Sequence, residues 1–275
     1  MYRIVTKEAL KPTVILYEIE APMVAKKAQP GQFIILRVDE NGERIPITIH
    51  DYDREKGTVT IIVQTVGATT EKLSHKQQGD YLHDFVGPLG KPTETEGKKK
   101  VCVVGGGVGC AIAYPVLKKF HDCGAEVHAV VGFKSKDVVI LEDKFKAVSS
   151  VMKVCTDDGS YGEQGVVTAP LERLLQDKAV SQVFCVGPVP MMKFSTLTAQ
   201  KYDTPITASL NPIMVDGTGM CGCCRVEVGG VTKFACVDGP DFDATLVDWD
   251  DLRARQAAYR SEEGESLKAY EEKSC

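Results

Sequence analysis

The sequence has no apolar stretch approaching the roughly 18 residues that a membrane-crossing helix needs, so no membrane partner is expected. It has no basic run, and its formal net charge is −5. Without clustered lysine and arginine nothing neutralises a row of phosphates, so a nucleic-acid partner is not expected either. The opening segment, MYRIVTKEAL, lacks the apolar centre of a secretory leader, which makes the cytoplasm the expected compartment. There is no internal repeat and no low-complexity segment. The histidines (His50, His75, His83, His121 and His128) show neither metal-ligand nor triad spacing and are read as structural or solvated. No paired-carboxylate site and no Ser/His/Asp set stands out.

What the chain does have is cysteine. Ten in 275 residues would suggest disulfides in a small secreted protein, but this chain is neither, so metal or redox chemistry is the better reading. Cys221, Cys223, Cys224 and Cys236 fall within sixteen residues. Cys102, Cys110, Cys123, Cys155 and Cys185 are scattered through apolar, glycine-rich surroundings and read as mostly buried small hydrophobes. Cys275 carries no signal.

Residues 1–95 read as β, with strong runs at Thr13–Ile19, Gln32–Val38 and Thr58–Val66 and a short helix at Thr70–His75. Frequent Pro and Gly punctuation suits an antiparallel barrel or sandwich. A charged stretch near Lys91–Lys100 reads as a linker. From 98 to 210 strand and helix signals alternate, as in a parallel sheet with helices on its faces. Strands are expected at Val101–Val104, Glu126–Val131, Val151–Cys155 and Gln182–Val186, with Ala208–Leu210 finishing the sheet. Helices are expected at Ala111–Phe120, despite Pro115, and at Val139–Val148 and Val167–Leu175. Residues 211–247 are Gly- and Cys-rich, too small to hold themselves without a staple such as a metal. Residues 248–275 read as a solvated helix or tail.

Four segments carry chemistry. Asp216-Gly-Thr-Gly-Met-Cys221-Gly-Cys-Cys224, followed by a hairpin and Cys236, is a glycine-rich loop of thiols. Such a loop can wrap a metal–sulfur cluster and turn backbone N–H groups toward sulfur. Zinc fits less well, because only Cys221 and Cys224 form a short pair. Arg44-Ile-Pro46-Ile47-Thr48 offers a guanidinium fork for a pyrophosphate and a hydroxyl for a polar ring edge, or is an ordinary edge strand. Gly67-Ala-Thr69-Thr70-Glu-Lys-Leu73 opens a helix that could seat a pyrophosphate or is simply N-capped by a threonine. Gly105-Gly-Gly107-Val-Gly109 follows a strand and precedes a helix, where a dinucleotide diphosphate can approach the backbone. Its spacing is not the usual dinucleotide fingerprint. No acidic residue ends the second strand, where Gly132-Phe-Lys134 stands. Lys134 suits a 2′-phosphate or is a plain surface lysine, so NAD and NADP stay undecided.

Taken in order, these segments resemble the ferredoxin reductase superfamily. Arg44-x-Pro46-x-Thr48, Gly67-x-x-Thr70-x-x-Leu73 and the turn Gly87-Pro-Leu-Gly90 match its flavin-binding barrel. Within it the chain is similar to electron-transfer subunits of the dihydroorotate dehydrogenase B type. Asp216-x4-Cys221-x2-Cys224 then Cys236 matches their [2Fe–2S] loop, save that Asp216 stands at the first cysteine. That variant resembles the small subunits of NADH-dependent ferredoxin:NADP⁺ oxidoreductase and of sulfide dehydrogenase. Thr156-Asp157-Asp-Gly-Ser-Tyr-Gly and Cys185-Val-Gly187-Pro188-Val-Pro-Met-Met look like signatures of the same subunits.

The resemblance implies a flavin-binding β-barrel, an α/β dinucleotide domain and a small [2Fe–2S] lobe. It implies FAD near Arg44, Pro46, Ile47, Thr48, Gly67, Thr69 and Thr70. NAD(H) is implied near Gly105, Gly107, Gly109, Asp157, Cys185, Gly187 and Pro188. The implied iron ligands are Asp216, Cys221, Cys224 and Cys236; Cys223 in place of Asp216 stays open. No residue need act as acid or base: hydride passes between nicotinamide and flavin, and single electrons leave through the cluster. The implied partner is a large flavin and [4Fe–4S] subunit, with ferredoxin reached indirectly.

Overall fold

The computed structural model describes residues 1–274; Cys275 lies outside the described residues. The first seven strands are β1 (Tyr2–Lys11), β2 (Val14–Glu20), β3 (Phe33–Arg37), β4 (Ile45–Asp53), β5 (Thr58–Gln64), β6 (Tyr81–Leu82) and β7 (Asp84–Leu89). They pair antiparallel in the order β6-β1-β2-β5-β4-β3-β7. The two edges, β6 and β7, are consecutive in the chain, so the sheet curls nearly shut, as a barrel must to remove its edges. Side chains alternate across it: Tyr17 and Ile19 of β2 are buried while Glu20 is exposed. Helix α1 (Pro22–Ala25) connects β2 to β3, and helix α2 (Ala68–Ser74) connects β5 to β6. Tyr17 Oη donates to the Leu73 carbonyl at 2.9 Å, pinning α2 to the barrel.

Next come β8 (Lys100–Gly106), α3 (Cys110–Asp122), β9 (Glu126–Phe133), α4 (Glu142–Val148), β10 (Val151–Thr156) and β11 (Glu163–Gln164). Then follow α5 (Thr168–Gln176), β12 (Gln182–Val186), α6 (Val189–Gln200) and β13 (Ile206–Ser209). The strands run parallel in the order β11-β10-β9-β8-β12-β13. Valine-rich β8 and β9 are buried along nearly their whole length, as strands covered on both faces are. The order reverses between β8 and β12. Loops leaving a sheet at such a point diverge to opposite faces and leave a crevice.

The chain ends with β14 (Arg225–Val228), β15 (Val231–Phe234), α7 (Ala235–Asp238), β16 (Asp241–Asp243), α8 (Trp249–Gln256) and α9 (Arg260–Ser274). The hairpin expected between Cys224 and Cys236 is β14–β15. Its turn, Gly229-Gly230, has φ of 62° and 75°, positive angles that tight hairpins demand.

The helix expected at Ala111–Phe120 is α3, which runs through Pro115. Three expectations need correction. Helix α6 was not anticipated, although Pro188 at its N-cap and Pro190 in its first turn are start signals. The segment Ala208–Leu210 does not finish the sheet: β16 adds to it antiparallel, Ala208 facing Phe242. Residues 248–275 are not all solvated, because Trp249 and Leu252 of α8 are buried in one core with Val226 and Val247. Helix α9 is exposed and touches α2, Tyr270 Oη lying 3.1 Å from His75 Nδ1. Of the scattered cysteines, Cys102, Cys110, Cys155 and Cys185 are buried, but Cys123 is exposed beyond α3. No described helix is long and apolar enough to cross a membrane.

Where the linker, β13 and β16 meet, Thr93 Oγ1 donates to Asp241 Oδ2 at 2.6 Å. Burial pushes the Asp241 carboxyl up to about 6, hydrogen bonds from Thr93 and Ser209 pulling the other way. A raised acid favours the fold when protonated. Its contribution is complete below the unfolded value of about 3.9 and is lost as pH rises through about 6. Asp241→Asn should therefore stabilise the chain at pH 7.5 by about 1–3 kcal/mol. In thermal melts the difference from wild type should vanish by about pH 4; an equal shift at both pH values would refute this account of Asp241.

Candidate functional site: an interdomain cleft and a cysteine loop

The crevice at the switch point opens against the barrel and forms a cavity of about 1610 Å³ with mainly apolar walls. Strand β4 gives it Pro46, Ile47 and Thr48; the turn after β8 gives Gly107 and Gly109; the turn after β12 gives Gly187 and Pro188. Lys134, Asp157 and Thr70 also line it. Its volume exceeds that of ordinary ligand pockets, of order 300–1,000 Å³, as a site for more than one cofactor would.

The glycines let the loops close on each other. Gly107 is at φ 56°. Gly109 differs: its backbone is right-handed (φ −56°, ψ −20°), a conformation any residue adopts. Contact decides there, since a Cβ would sit 2.8 Å from both Gly187 Cα and the Val186 carbonyl oxygen. The two turns on either side of the switch point thus touch backbone to backbone. The N-terminus of α3, thirteen residues long, faces the same cavity through Gly109, Ala111 and Ile112. Its free N–H groups favour a diphosphate.

Of the other residues singled out in the sequence, some lie away from the cleft and some shape the loops around it. Arg44 does not line the cleft: its Nε donates to the Val215 carbonyl at 2.9 Å, and Nη1 lies 3.5 Å from Asp84 Oδ2. Thr69 is buried and donates to Glu43 Oε2 at 2.7 Å. Thr70 accepts from the Gly67 N–H at 3.0 Å, so its hydroxyl serves the start of α2. Gly105 is spaced for packing, a Cβ there meeting Cys110 Sγ at 2.9 Å. Cys185 is fully buried within β12 and does not line the cleft; desolvation holds its thiol well above the ordinary range. Asp157 donates its backbone N–H to the Phe133 carbonyl at 3.0 Å, bringing the turn after β10 to the cleft. Asp158 accepts from Ser160 N–H at 2.9 Å and shapes that turn. Sequence reasoning missed Met214, Leu210 and Pro240 in the wall. They come from chain that returns after β13, and nothing local marks them.

The cysteine loop lies against the barrel. Phe33 and Ile35 of β3 share a small core with Met214, Cys224, Ala235 and Cys236. Gly217, at φ 84°, lies so close that a Cβ would meet Ile35 and Leu89 at 2.8 Å. Cys224 Sγ and Cys236 Sγ are buried 3.1 Å apart, and the Cys236 N–H points to Cys224 Sγ at 3.4 Å. Burial, then the Cys224 thiol, push Cys236 up to about 12; the Gly219 N–H and the nearby Cys221 also act on it. Cys221 is exposed, and N–H donors from Cys223 and Asp216 hold its thiol below the ordinary value. Asp216 Oδ2 accepts from Thr218 N–H at 2.9 Å. Its carboxyl is held low by Thr218, by the Met220 N–H and by Arg44.

Cys224 and Cys236 are therefore brought together, while Asp216 and Cys221 stand on the open side. Among the described residues no three Asp, Glu, His or Cys side chains converge as for a single metal ion. A two-iron cluster takes its ligands as two pairs, and the donor set of thiols, carboxylate and inward N–H groups fits that chemistry.

A barrel joined to an open parallel sheet, with a cleft at the switch point, defines a ferredoxin reductase-like fold. The ferredoxin reductase of carbazole 1,9a-dioxygenase shares it at a TM-score of 0.62, with 18% identity, over 74% of this chain and 66% of that one. Residues 211–248 match the iron–sulfur cluster binding domain of dihydroorotate dehydrogenase B. A Thermotoga maritima homologue of the dihydroorotate dehydrogenase B (NAD⁺) electron transfer subunit is 49% identical over 94% of this chain and 92% of its own. A chain from the structure of NADH-dependent reduced ferredoxin-NADP oxidoreductase, solved in a study of flavin-based electron bifurcation, is 47% identical. It aligns with a TM-score of 0.93 over 98% of each chain. The class is thus a flavin and iron–sulfur oxidoreductase subunit. The chain belongs to the family of dihydroorotate dehydrogenase B electron-transfer subunits and their homologues.

Because its torsions already suit alanine, Gly109→Ala tests the loop contact by sterics alone. It should cost about 1–3 kcal/mol in urea unfolding, since backbone cannot yield as a side chain would. Gly264→Ala, in α9 with nothing within 4 Å of the new Cβ, should instead gain about 0.5–1 kcal/mol.

Proposed function

We propose that this chain is the small, electron-carrying subunit of an electron-bifurcating, NADH-dependent reduced ferredoxin:NADP⁺ oxidoreductase in the cytoplasm. Residues 1–95 hold FAD, 98–210 hold NAD(H), 211–247 hold a [2Fe–2S] cluster, and 248–275 form a charged C-terminal segment whose first helix packs into the sheet's core. Its partner is a large flavin and [4Fe–4S] subunit, through which ferredoxin is reached. The observation that carries this reading is the near-complete superposition, at 47% identity, on a chain from that enzyme. The carboxylate at Asp216, where dihydroorotate dehydrogenase subunits carry cysteine, points the same way.

When bound, the flavin supplies exchange of an electron pair with nicotinamide and of single electrons with the cluster. The chain's part is placement. Pro46, Ile47 and Thr48 offer an apolar strand edge and one hydroxyl to the flavin. Gly107, Gly109 and the α3 N-terminus offer backbone N–H groups to the dinucleotide diphosphate. Gly187 and Pro188 form the opposite wall, and the apolar lining keeps water out. Asp216, Cys221, Cys224 and Cys236 are the iron ligands. Arg44, engaged with the Val215 carbonyl, belongs to the join between flavin strand and cluster loop rather than to a diphosphate.

Anaerobic visible and EPR spectra test this. The wild-type chain should hold about two irons and a flavin that NADH bleaches. Cys221→Ser, Cys224→Ser and Cys236→Ser should each lose most of the iron. Cys223→Ser should keep it, and Asp216→Cys should keep it with altered spectrum and potential. Iron-free anaerobic protein would end the proposal; loss of iron in Cys223→Ser alone, with Asp216→Ala unaffected, would move the fourth ligand to Cys223.

A further inference from the structure

Strand β4 carries one residue more than its partner at His50: Ile49 faces Ile61 of β5, and Asp51 faces Thr60. A bulge of this kind bends a strand and re-aims a side chain. Here the imidazole reaches out of the barrel to helix α3. That helix contains Pro115, which has no N–H. The carbonyl four residues before it, Ala111, therefore lacks its usual α-helical partner. His50 Nδ1 lies 2.7 Å from that carbonyl oxygen. A carbonyl only accepts, so Nδ1 carries the proton and donates. One domain thus supplies the hydrogen bond that the helix of the other is missing.

The surroundings keep this bond fixed. His50 is 2% exposed. Its ring lies on Tyr114, centroids 5.6 Å apart, and Tyr114 meets Phe145 edge-on at 5.6 Å. Desolvation holds the imidazole below its ordinary pKa, so it is neutral at pH 7; the charged groups acting on it are Lys144, over the Tyr114 ring, and Asp51. Val14 and Ile62 of the barrel share a core with α3. Apolar contact is non-directional and does not by itself fix how two faces are aligned, whereas a buried hydrogen bond has a set length and angle. The two ends of the bond also matter. His50 stands two residues beyond Thr48, and Ala111 two beyond Gly109.

We infer that the His50–Ala111 hydrogen bond is a latch that sets the flavin strand against the nucleotide-binding turn, making His50 a positioning residue for hydride exchange across the cleft. This rests on the assignment of the cleft to FAD and NAD(H). Hydride exchange needs reacting atoms within about 3–3.5 Å, and a displacement of about 1 Å can cost about 100-fold in rate. His50 and Ala111 both lie in the cleft wall, but the role inferred for His50 is placement, not a part in the exchange itself. It acts by fixing α3.

The test uses the full chain loaded with FAD, with flavin reduction by NADH followed in an anaerobic stopped-flow instrument. Amide hydrogen exchange over residues 110–116 is the second readout. His50→Phe keeps the ring and loses the donor; His50→Gln is polar but cannot place its amide at the Nδ1 position. Both should slow reduction about 10- to 100-fold, leave FAD content and NADH affinity within about threefold, and raise exchange in the first turns of α3. His50→Asn, whose amide nitrogen sits where Nδ1 did, should restore most of both. Pro115→Ala added to His50→Phe gives Ala111 an intrahelical partner, and should recover exchange protection without recovering the rate. Wild-type rate and exchange in His50→Phe and His50→Gln would overturn the latch. Recovery of the rate by Pro115→Ala would reduce His50 to a helix-completing residue and overturn it as well. A wild-type chain that binds FAD but is not reduced by NADH would overturn the assignment of the cleft, while exchange would still decide whether His50 secures α3.

Discussion

Strand β4 is in contact with every part of the molecule that the chemistry needs. Just before it, Arg44 reaches the carbonyl of Val215 on the cysteine loop. In its middle, Pro46, Ile47 and Thr48 form one wall of the cleft. Two residues beyond Thr48, His50 bonds to Ala111 of α3. A strand rises about 3.3 Å per residue, so these three attachments are closely spaced along one backbone, which pairs with β3 from Ile45 to Thr48 and with β5 from Ile49 onward. Fixed relative positions of cofactors are what electron carriers need, and here one backbone sets them.

The cores repeat this arrangement. Val14 and Ile62 of the barrel are buried with the residues of α3, and Phe33 and Ile35 with the cysteine loop. Val226 and Val247 of the C-terminal lobe are buried with the sheet. Close-packed interiors transmit displacement rather than absorb it. The small lobe therefore does not depend on a metal alone for its shape, since two larger units also grip it.

The barrel and the alternating α/β pattern were visible in the chain because their hydrophobic periods are strong and their turns carry Gly and Pro. The hairpin before Cys236 was visible for the same reason. The helix around Pro115 was legible from its apolar spacing, but what accommodates the proline was not: it removes a local hydrogen bond, and a histidine 65 positions earlier supplies a partner, a distance no local rule sees. Strand β16 was hidden because three residues after a cysteine-rich loop carry no period. Arg44, Thr69 and Cys185 fit family motifs, yet ion pairing, a buried hydroxyl contact and strand burial take them out of the cleft. Motif spacing reports which residues share a segment, and side-chain direction depends on partners far along the chain.

One feature of the C-terminal lobe bears on modularity. Its chain comes back to the nucleotide sheet as β16, paired to β13, and again as α8, whose Trp249 and Leu252 complete that sheet's core. A truncation at residue 210 would uncover the hydrogen-bonding edge of β13 together with apolar surface beneath it, and open edges of that kind invite other chains to pair. The lobe is thus no detachable cartridge, and grafting it onto another reductase would mean transplanting the rim of the sheet as well.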